Sequence, residues 1–437
     1  MKNKIQGSVF VAGVAVMAGL GNNAYAYPMF GKQTGLDCTA CHLQHMPKLN
    51  ETGRKFAASG MTQSVNVADP ASKGMDINPS VMVKSMYEKT WDKPTHSGLV
   101  NTTADTEEGE WSVPRTASLM FGGRLTEHLG GFIDASYKSN EDNSVGGKVV
   151  YARDTTDGYW GLAFYNTPSF GPFAGMETYN SGLYKPLRTF DIRKLSNAFQ
   201  ASEIGGGSAR GVQLYCDTDN ALSEEDHLFA TFGVYAPEQE NDSMNFASNM
   251  IPFARVAYEY RAGDFNFILG GFGMKGGSTA YNSLAPLSIE RETYGIDFQI
   301  EGIVAERRVS LIVANVLRNK VTYTGLLSNQ LDPEENSNLE NTAWSVEGEV
   351  NLFPSFGLKA AYMTFDDQYD YYRADKHDYQ ANHIDVRDLD YAVTVGADYS
   401  FSLYLPMKLT AEYAWAKPSL ERVKDYEDFL VSLNILF

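Results

Sequence analysis

"AWSVEGEVNLF", residues 343–353, places Trp344, Val346, Val350 and Leu352 on one face and Ser345, Glu347, Glu349 and Asn351 on the other. Side chains that alternate with a period of two belong to a strand, since a helix would mix these residues around its axis. The carboxylate face must meet water and the apolar face must be covered. "TYGIDFQIEG" repeats the pattern with Tyr294, Ile296, Phe298 and Ile300 against Asp297, Gln299 and Glu301. "ARVAYEYR" does so with Val256, Tyr258 and Tyr260 against Arg255, Glu259 and Arg261.

A water-soluble sandwich would also alternate; three further features point to a membrane barrel. The segments approach the roughly 9–11 residues that a tilted membrane strand needs. About sixteen of them follow one another, an even number that suits a closed antiparallel barrel, starting near residues 80, 116, 129, 146, 158, 210, 227, 252, 264, 291, 305, 341, 355, 389, 402 and 427. Their connections alternate between tight turns such as "RAGD" and "FPSFG" and long stretches at 167–209, 237–250, 274–290, 317–340 and 365–388. Long connections are expected to face outward and short ones the periplasm. The stretch "YEDFLVSLNILF" adds an apolar face of Phe429, Val431, Leu433, Ile435 and Phe437, which resembles the terminal strand signal of outer-membrane barrels.

In such a barrel the polar face lines the lumen. Arg124, Asp134, Arg255, Glu259, Arg261, Asp297, Glu301, Glu347, Glu349, Asp398 and Glu412 are therefore expected to point inward. The Tyr-rich outer stretch 365–390 carries Asp366, Asp367, Asp370, Asp375, His377, Asp378, His383 and Asp385. These are oxygen and imidazole donors of the kind divalent iron accepts, without a spacing that fixes a coordination shell.

The start of the chain reads differently. Lys2 and Lys4 precede an apolar run from Val9 to Leu20 and the small residues Ala24 and Ala26, the pattern of a secretion signal over residues 1–26. That run is too short to cross a bilayer as a helix, and no later run is long and apolar enough. The formal charge of −18 on 437 residues argues against nucleic acid and in favour of cations as partners. The chain has 3 cysteines, too few for a disulfide scaffold; Cys216 is expected to be an inert residue on a strand.

The other two belong to "CTACH", where Cys38, Cys41 and His42 have the spacing of a haem c attachment site. Two thiols three residues apart reach the vinyl groups of one porphyrin, and the adjacent imidazole falls beneath the iron. A redox dithiol would want a surrounding βαβ pattern, and a zinc site would want a fourth ligand, for which His45 is the near candidate. Export favours covalent haem. For the sixth iron position the candidates are Met61, beyond the Gly60 break, His45, a barrel residue, or none. His45 and Met46 share the face of His42 if the segment is helical, so Met61 is better placed to fold back over the iron. Lys32, Lys48, Arg54 and Lys55 give this segment a positive charge that suits lumen carboxylates.

The stretch from Tyr27 to Phe56 resembles the N-terminal signature of the fused monohaem cytochrome c–porin family of outer-membrane iron oxidases. The matching positions are Pro28, Phe30, Gln33, Thr34, Gly35, Cys38, Cys41, His42, Pro47, Leu49, Gly53, Arg54 and Phe56. Lys32, Thr52 and Met61 depart from the residues common there. The resemblance implies that one haem takes electrons from extracellular Fe(II) and passes them to a periplasmic cytochrome, with the haem segment within the barrel.

The expected organisation is a signal peptide (1–26), a small, mainly helical monohaem cytochrome c segment (27–65), a linker (66–79) and an all-β transmembrane antiparallel barrel of about sixteen strands (80–437). It would lie in outer-membrane lipid, with the cytochrome segment at the periplasmic side or inside the lumen. Rival functions are a solute porin with a haem-bearing plug, and a conduit that sends electrons outward to an extracellular acceptor.

Overall fold

The computed structural model describes residues 29–43, 48–65, 74–91, 109–139, 144–168, 170–223, 225–239, 244–281, 286–324, 337–367, 388–402, 405–419 and 424–437. The signal stretch, most of the linker, His45, and the donors between Asp370 and Asp385 lie outside them.

One antiparallel sheet closes on itself. Its strands are β1 (Asp76–Trp91), β2 (Glu110–Arg124), β3 (Leu129–Lys138), β4 (Ser144–Thr155), β5 (Gly158–Thr167), β6 (Ser208–Asp219), β7 (Asp226–Gln239) and β8 (Met244–Ser248). They continue with β9 (Ile251–Ala262), β10 (Phe265–Tyr281), β11 (Pro286–Val304), β12 (Arg307–Thr324), β13 (Ser337–Phe353), β14 (Phe356–Asp367), β15 (Leu389–Ser402), β16 (Pro406–Pro418) and β17 (Tyr426–Leu436). The seam is the pairing of β1 with β17, from Met82↔Leu436 to Trp91↔Glu427. Short β8 and its successor β9 lie on either side of Asn249, whose φ is 65°, and both pair with β7 and β10. They act as one bent wall position, so the barrel has 16 strands, at the places where alternation put them. Closure pairs the wall's peptide groups with each other, which lets strands sit in hydrocarbon without a bare edge.

The pleat sorts side chains as expected. Trp344 is 43% exposed while Ser345 and Glu347 beside it are at 0% and 1%. Ile133, Phe164, Leu214, Phe232, Leu269 and Ile296 are exposed on the outer wall, and Cys216 is exposed on β6. On β13 to β16, Trp344, Tyr362, Tyr391 and Trp415 form a row with ring centroids 5.4, 6.1 and 5.5 Å apart. Such aromatic rows mark the interface between lipid and water.

Two details of the expected layout need correction. The described parts of 274–290 and 317–340 are strand: β10 pairs with β11 out to Tyr281↔Pro286 and β12 with β13 out to Tyr323↔Ser337. These ladders continue past the span a membrane requires because paired backbone is as well satisfied in water as in lipid.

The stretch 167–209 does not face outward. It folds into the lumen through short turns at Pro172–Ala174, Lys185–Leu187 and Arg193–Leu195 and a helical turn at Ala198–Ala201. From there it bonds to the far wall. Glu412 accepts from the backbone N–H groups of Asp191 and Ile192 at 2.9 and 2.7 Å, and Lys359 donates to the Thr189 carbonyl at 3.0 Å. Ser345 accepts from the Ala198 N–H at 2.9 Å, and Asn319 donates to the Ser202 carbonyl at 3.0 Å. The cause is composition: Phe173, Leu183, Phe190, Leu195, Phe199 and Ile204 are all buried, and a loop in water would leave them wet. Phe272 of the wall meets both Phe173 and Phe199 edge-on, at 5.3 and 5.2 Å.

Candidate functional site

The N-terminal segment comprises three short helices, α1 (Met29–Thr34), α2 (Cys38–Cys41) and α3 (Glu51–Ala58). Gly35 ends α1 with a φ of 67°, the left-handed conformation that glycine adopts without steric cost. Asn50 caps α3, accepting from the Gly53 N–H at 3.1 Å, and its amide donates to the Ala40 carbonyl at 2.9 Å. The first turn of α3 is thereby fastened to α2. Gly53 lies so close to the Cys41 carbonyl that any side chain there would collide with it. Phe30 and Phe56 meet edge-on at 5.2 Å.

Cys38 and Cys41 sit on one helical turn, three residues apart, both half-buried, and burial raises the pKa of each thiol. His42 leaves the turn in extended conformation. Its Nδ1 lies 3.2 Å from the Lys48 carbonyl oxygen. A carbonyl only accepts, so Nδ1 carries the hydrogen, and in the neutral ring this leaves the lone pair on Nε2. That is the tautomer an iron ligand needs, with the second nitrogen oriented by a backbone carbonyl. The thiol pair and the fixed imidazole together fit covalent haem.

The segment meets inward-facing residues of the wall near the short turns. Arg54, 2% exposed, donates to Glu259 of β9 at 2.6 Å and to both oxygens of Glu301 of β11 at 2.9 Å. Burial opposes its charge, but Glu259 and Glu301 outweigh that and raise its pKa. Lys48 donates to Ser310 of β12 at 2.8 Å and lies 3.7 Å from Glu349 of β13. Lys55 pairs with Asp219 at 3.2 Å, and Arg261 with Glu51 at 3.6 Å. Arg124 donates to the Thr62 carbonyl at 3.1 Å, and Tyr215 to that of Ala58 at 2.6 Å. The inward stretch joins in: Asn180 donates to the Leu49 carbonyl, and Arg54 lies 5.5 Å from the centre of the Tyr179 ring.

Met61 occupies a different part of the lumen from His42. It belongs to a hydrophobic cluster with Phe56, Val150, Ala152 and Tyr215, at a φ of 60°. Gln33 holds its carbonyl with a 2.7 Å hydrogen bond. The carbonyl of His42 faces β12 instead, where Arg308 reaches it at 3.3 Å. Of the outer-face donors, Asp366 and Asp367 lie at the end of β14, and among the described residues no group of three or more His, Cys, Asp or Glu side chains is set to hold a metal ion.

Sequence reasoning missed Ser310, Asn180, Tyr215 and Arg308. An isolated hydroxyl or arginine on a strand carries no signal of what it will meet.

No family model matches the chain, and no curated protein matches it. Solved structures do. OmpF of Salmonella typhi, in complex with daunomycin, aligns with a TM-score of 0.50 at 12% identity, covering 84% of this chain and 99% of that one. An anion-selective porin from Comamonas acidovorans aligns at 0.47 and 9%, covering 83% and 100%. The channel DcaP of Acinetobacter baumannii gives 0.46 and 14%, covering 84% and 98%. The fold is that of an outer-membrane porin. This chain also carries a short helical segment with a Cys-x-x-Cys-His sequence, tied to wall residues by buried ion pairs.

Proposed function

We propose that this chain is an outer-membrane electron conduit, with one haem c on Cys38 and Cys41, His42 as its proximal ligand, extracellular Fe(II) as donor and a periplasmic cytochrome as acceptor. The carrying observation is the His42 ring, held by the Lys48 carbonyl beside two thiols on one turn. When bound, the haem supplies the one-electron chemistry. The chain's own part is to hold His42 in one tautomer and to keep the segment in the lumen through Arg54, Lys48 and Lys55. No side chain needs to move a proton for an electron to pass. Oxidation at the outer face also leaves insoluble Fe(III) outside the cell. His45 and Met61 are the candidates for the sixth iron position, and Met61 would have to leave its cluster with Phe56, Val150, Ala152 and Tyr215 to reach it.

The test is stopped-flow observation of the oxidised, haem-loaded protein after anaerobic Fe(II) addition, with His42→Ala as control. Rapid Fe(II)-dependent reduction that is lost in the control is expected. Reduction by dithionite but not by Fe(II) would overturn the iron reading in favour of a different donor or of a conduit to an extracellular acceptor.

A second reading, a solute porin with a haem-bearing plug, is favoured by the fold shared with OmpF. It requires steady ion conductance in planar bilayers. The conduit reading expects little, since two segments of the chain bond to inward-facing wall residues.

A further inference from the structure

We propose that the β12–β13 wall of the barrel positions the axial histidine, through Lys48. This rests on the haem reading above and adds to it the residues that set the ligand's orientation and basicity. The Lys48 carbonyl receives the His42 Nδ1–H at 3.2 Å and the Leu43 N–H at 2.9 Å. The location of that carbonyl depends on the Lys48 side chain, which is 2% exposed and runs into the wall. There its ammonium donates to Ser310 at 2.8 Å and lies 3.7 Å from Glu349. Ser310 and Glu349 are directly opposite each other on neighbouring strands, so the barrel's register presents a hydroxyl and a carboxylate side by side to one cation. Arg308, on the same strand, completes the clamp: its Nη1 donates to the carbonyls of Thr39, His42 and Leu43 at 3.0, 3.3 and 3.4 Å. Asn351 donates to the Leu43 carbonyl at 3.1 Å.

The His42 backbone and its ring are thus both tied to one patch of wall, one directly and one through Lys48. A buried ammonium requires partners, so removing them shifts Lys48 and with it the carbonyl. The hydrogen bond at Nδ1 makes the imidazole more electron-donating toward a metal at Nε2. Weakening it lowers that donation and raises the reduction potential of an iron ligated there. Lys48, Ser310, Glu349 and Arg308 are positioning residues; none needs to touch the haem.

The experiment compares the full-length, membrane-purified protein with Ser310→Ala, Ser310→Thr and the double variant Ser310→Ala/Glu349→Gln, after mass spectrometry has shown covalent haem on each. Spectroelectrochemistry then gives the midpoint potential, and resonance Raman the iron–histidine stretch. The expected result is a raised potential and a lowered stretching frequency in Ser310→Ala, larger in the double variant, with Ser310→Thr restored to wild type. Unchanged values in the double variant, with haem attached, would overturn the positioning role and leave the haem reading standing. If the wild type carries no haem, the haem reading fails, and the positioning role is judged by 15N NMR of histidine-labelled protein, with His42→Gln to assign the signal. A His42 ring protonated at Nδ1, and mixed in the double variant, supports the role; a ring protonated at Nε2 in the wild type overturns it.

Discussion

Among the described residues, the Arg54 side chain bonds to groups far from it in the chain and to the nearby Leu49 carbonyl at 3.2 Å. Arg54→Met would leave Glu259 and Glu301 facing each other, buried, with no cation between them. Removing one partner of such a cluster costs about 3–5 kcal/mol. Segment 29–65 is therefore expected to be cut by protease far sooner in Arg54→Met, while the barrel still shows its heat-sensitive shift on a gel. Partial restoration on adding Glu259→Gln and Glu301→Gln would show that the loss comes from stranded carboxylates. Unchanged protease resistance would mean that Arg54 does not hold the segment. Much of this was legible: the positive charges of the segment and the inward carboxylates both follow from the sequence. Their pairing was not, because alternation fixes which side of the wall a residue faces and not its height around the stagger of a closed barrel.

At the scale of the element, the inward stretch 170–207 carries a titration of its own. Glu177 is buried, its Oε1 accepts from the Tyr179 N–H at 2.6 Å, and its Oε2 lies 3.4 Å from Arg255. Burial, helped by the charge of Asp297 and opposed by Arg255 and Lys148, raises its pKa from 4.5 to about 7. The docked stretch thus holds this proton more tightly than the unfolded chain does. Docking gains from it below pH 4.5, and that advantage is lost as the pH rises through about 7. Protease protection of the stretch is expected to be higher at pH 5 than at pH 8, and Glu177→Gln to flatten that difference. A slope that persists in Glu177→Gln would assign the effect to another group. Loop length alone suggested an outward stretch here. Phe173, Leu183, Phe190 and Phe199 were the signal against it, because a loop in water does not keep that many large apolar groups.

For the molecule as a whole, none of the ion pairs holding segment 29–65 in the barrel involves a thiol. Cys38→Ser/Cys41→Ser is expected to assemble in the outer membrane with the segment docked and protease-resistant, while losing haem peroxidase staining. A barrel that fails to assemble would show that attachment, and not the ion pairs, organises the lumen. The barrel was the most legible part of the chain, since most strands alternate an apolar outward face with a more polar inward one. The bend at Asn249 was not, because a single residue in left-handed conformation leaves almost no trace in a pattern of period two. The longer hairpins were missed for a related reason: beyond the lipid, strands no longer need an apolar face.

The grip on segment 29–65 comes from β2, β6, β9, β11, β12 and β13, and so from well-separated parts of the circumference, while the seam joins the first strand of the wall to the last. The segment precedes every one of those strands in the chain, so in a chain exported from its N-terminus it would emerge first and be enclosed last. If the chain carries haem c as proposed, an enzyme that must reach Cys38 and Cys41 has until the seam closes to do so. Attachment would then be a race against barrel closure, and slow attachment would trap haem-free protein in the membrane.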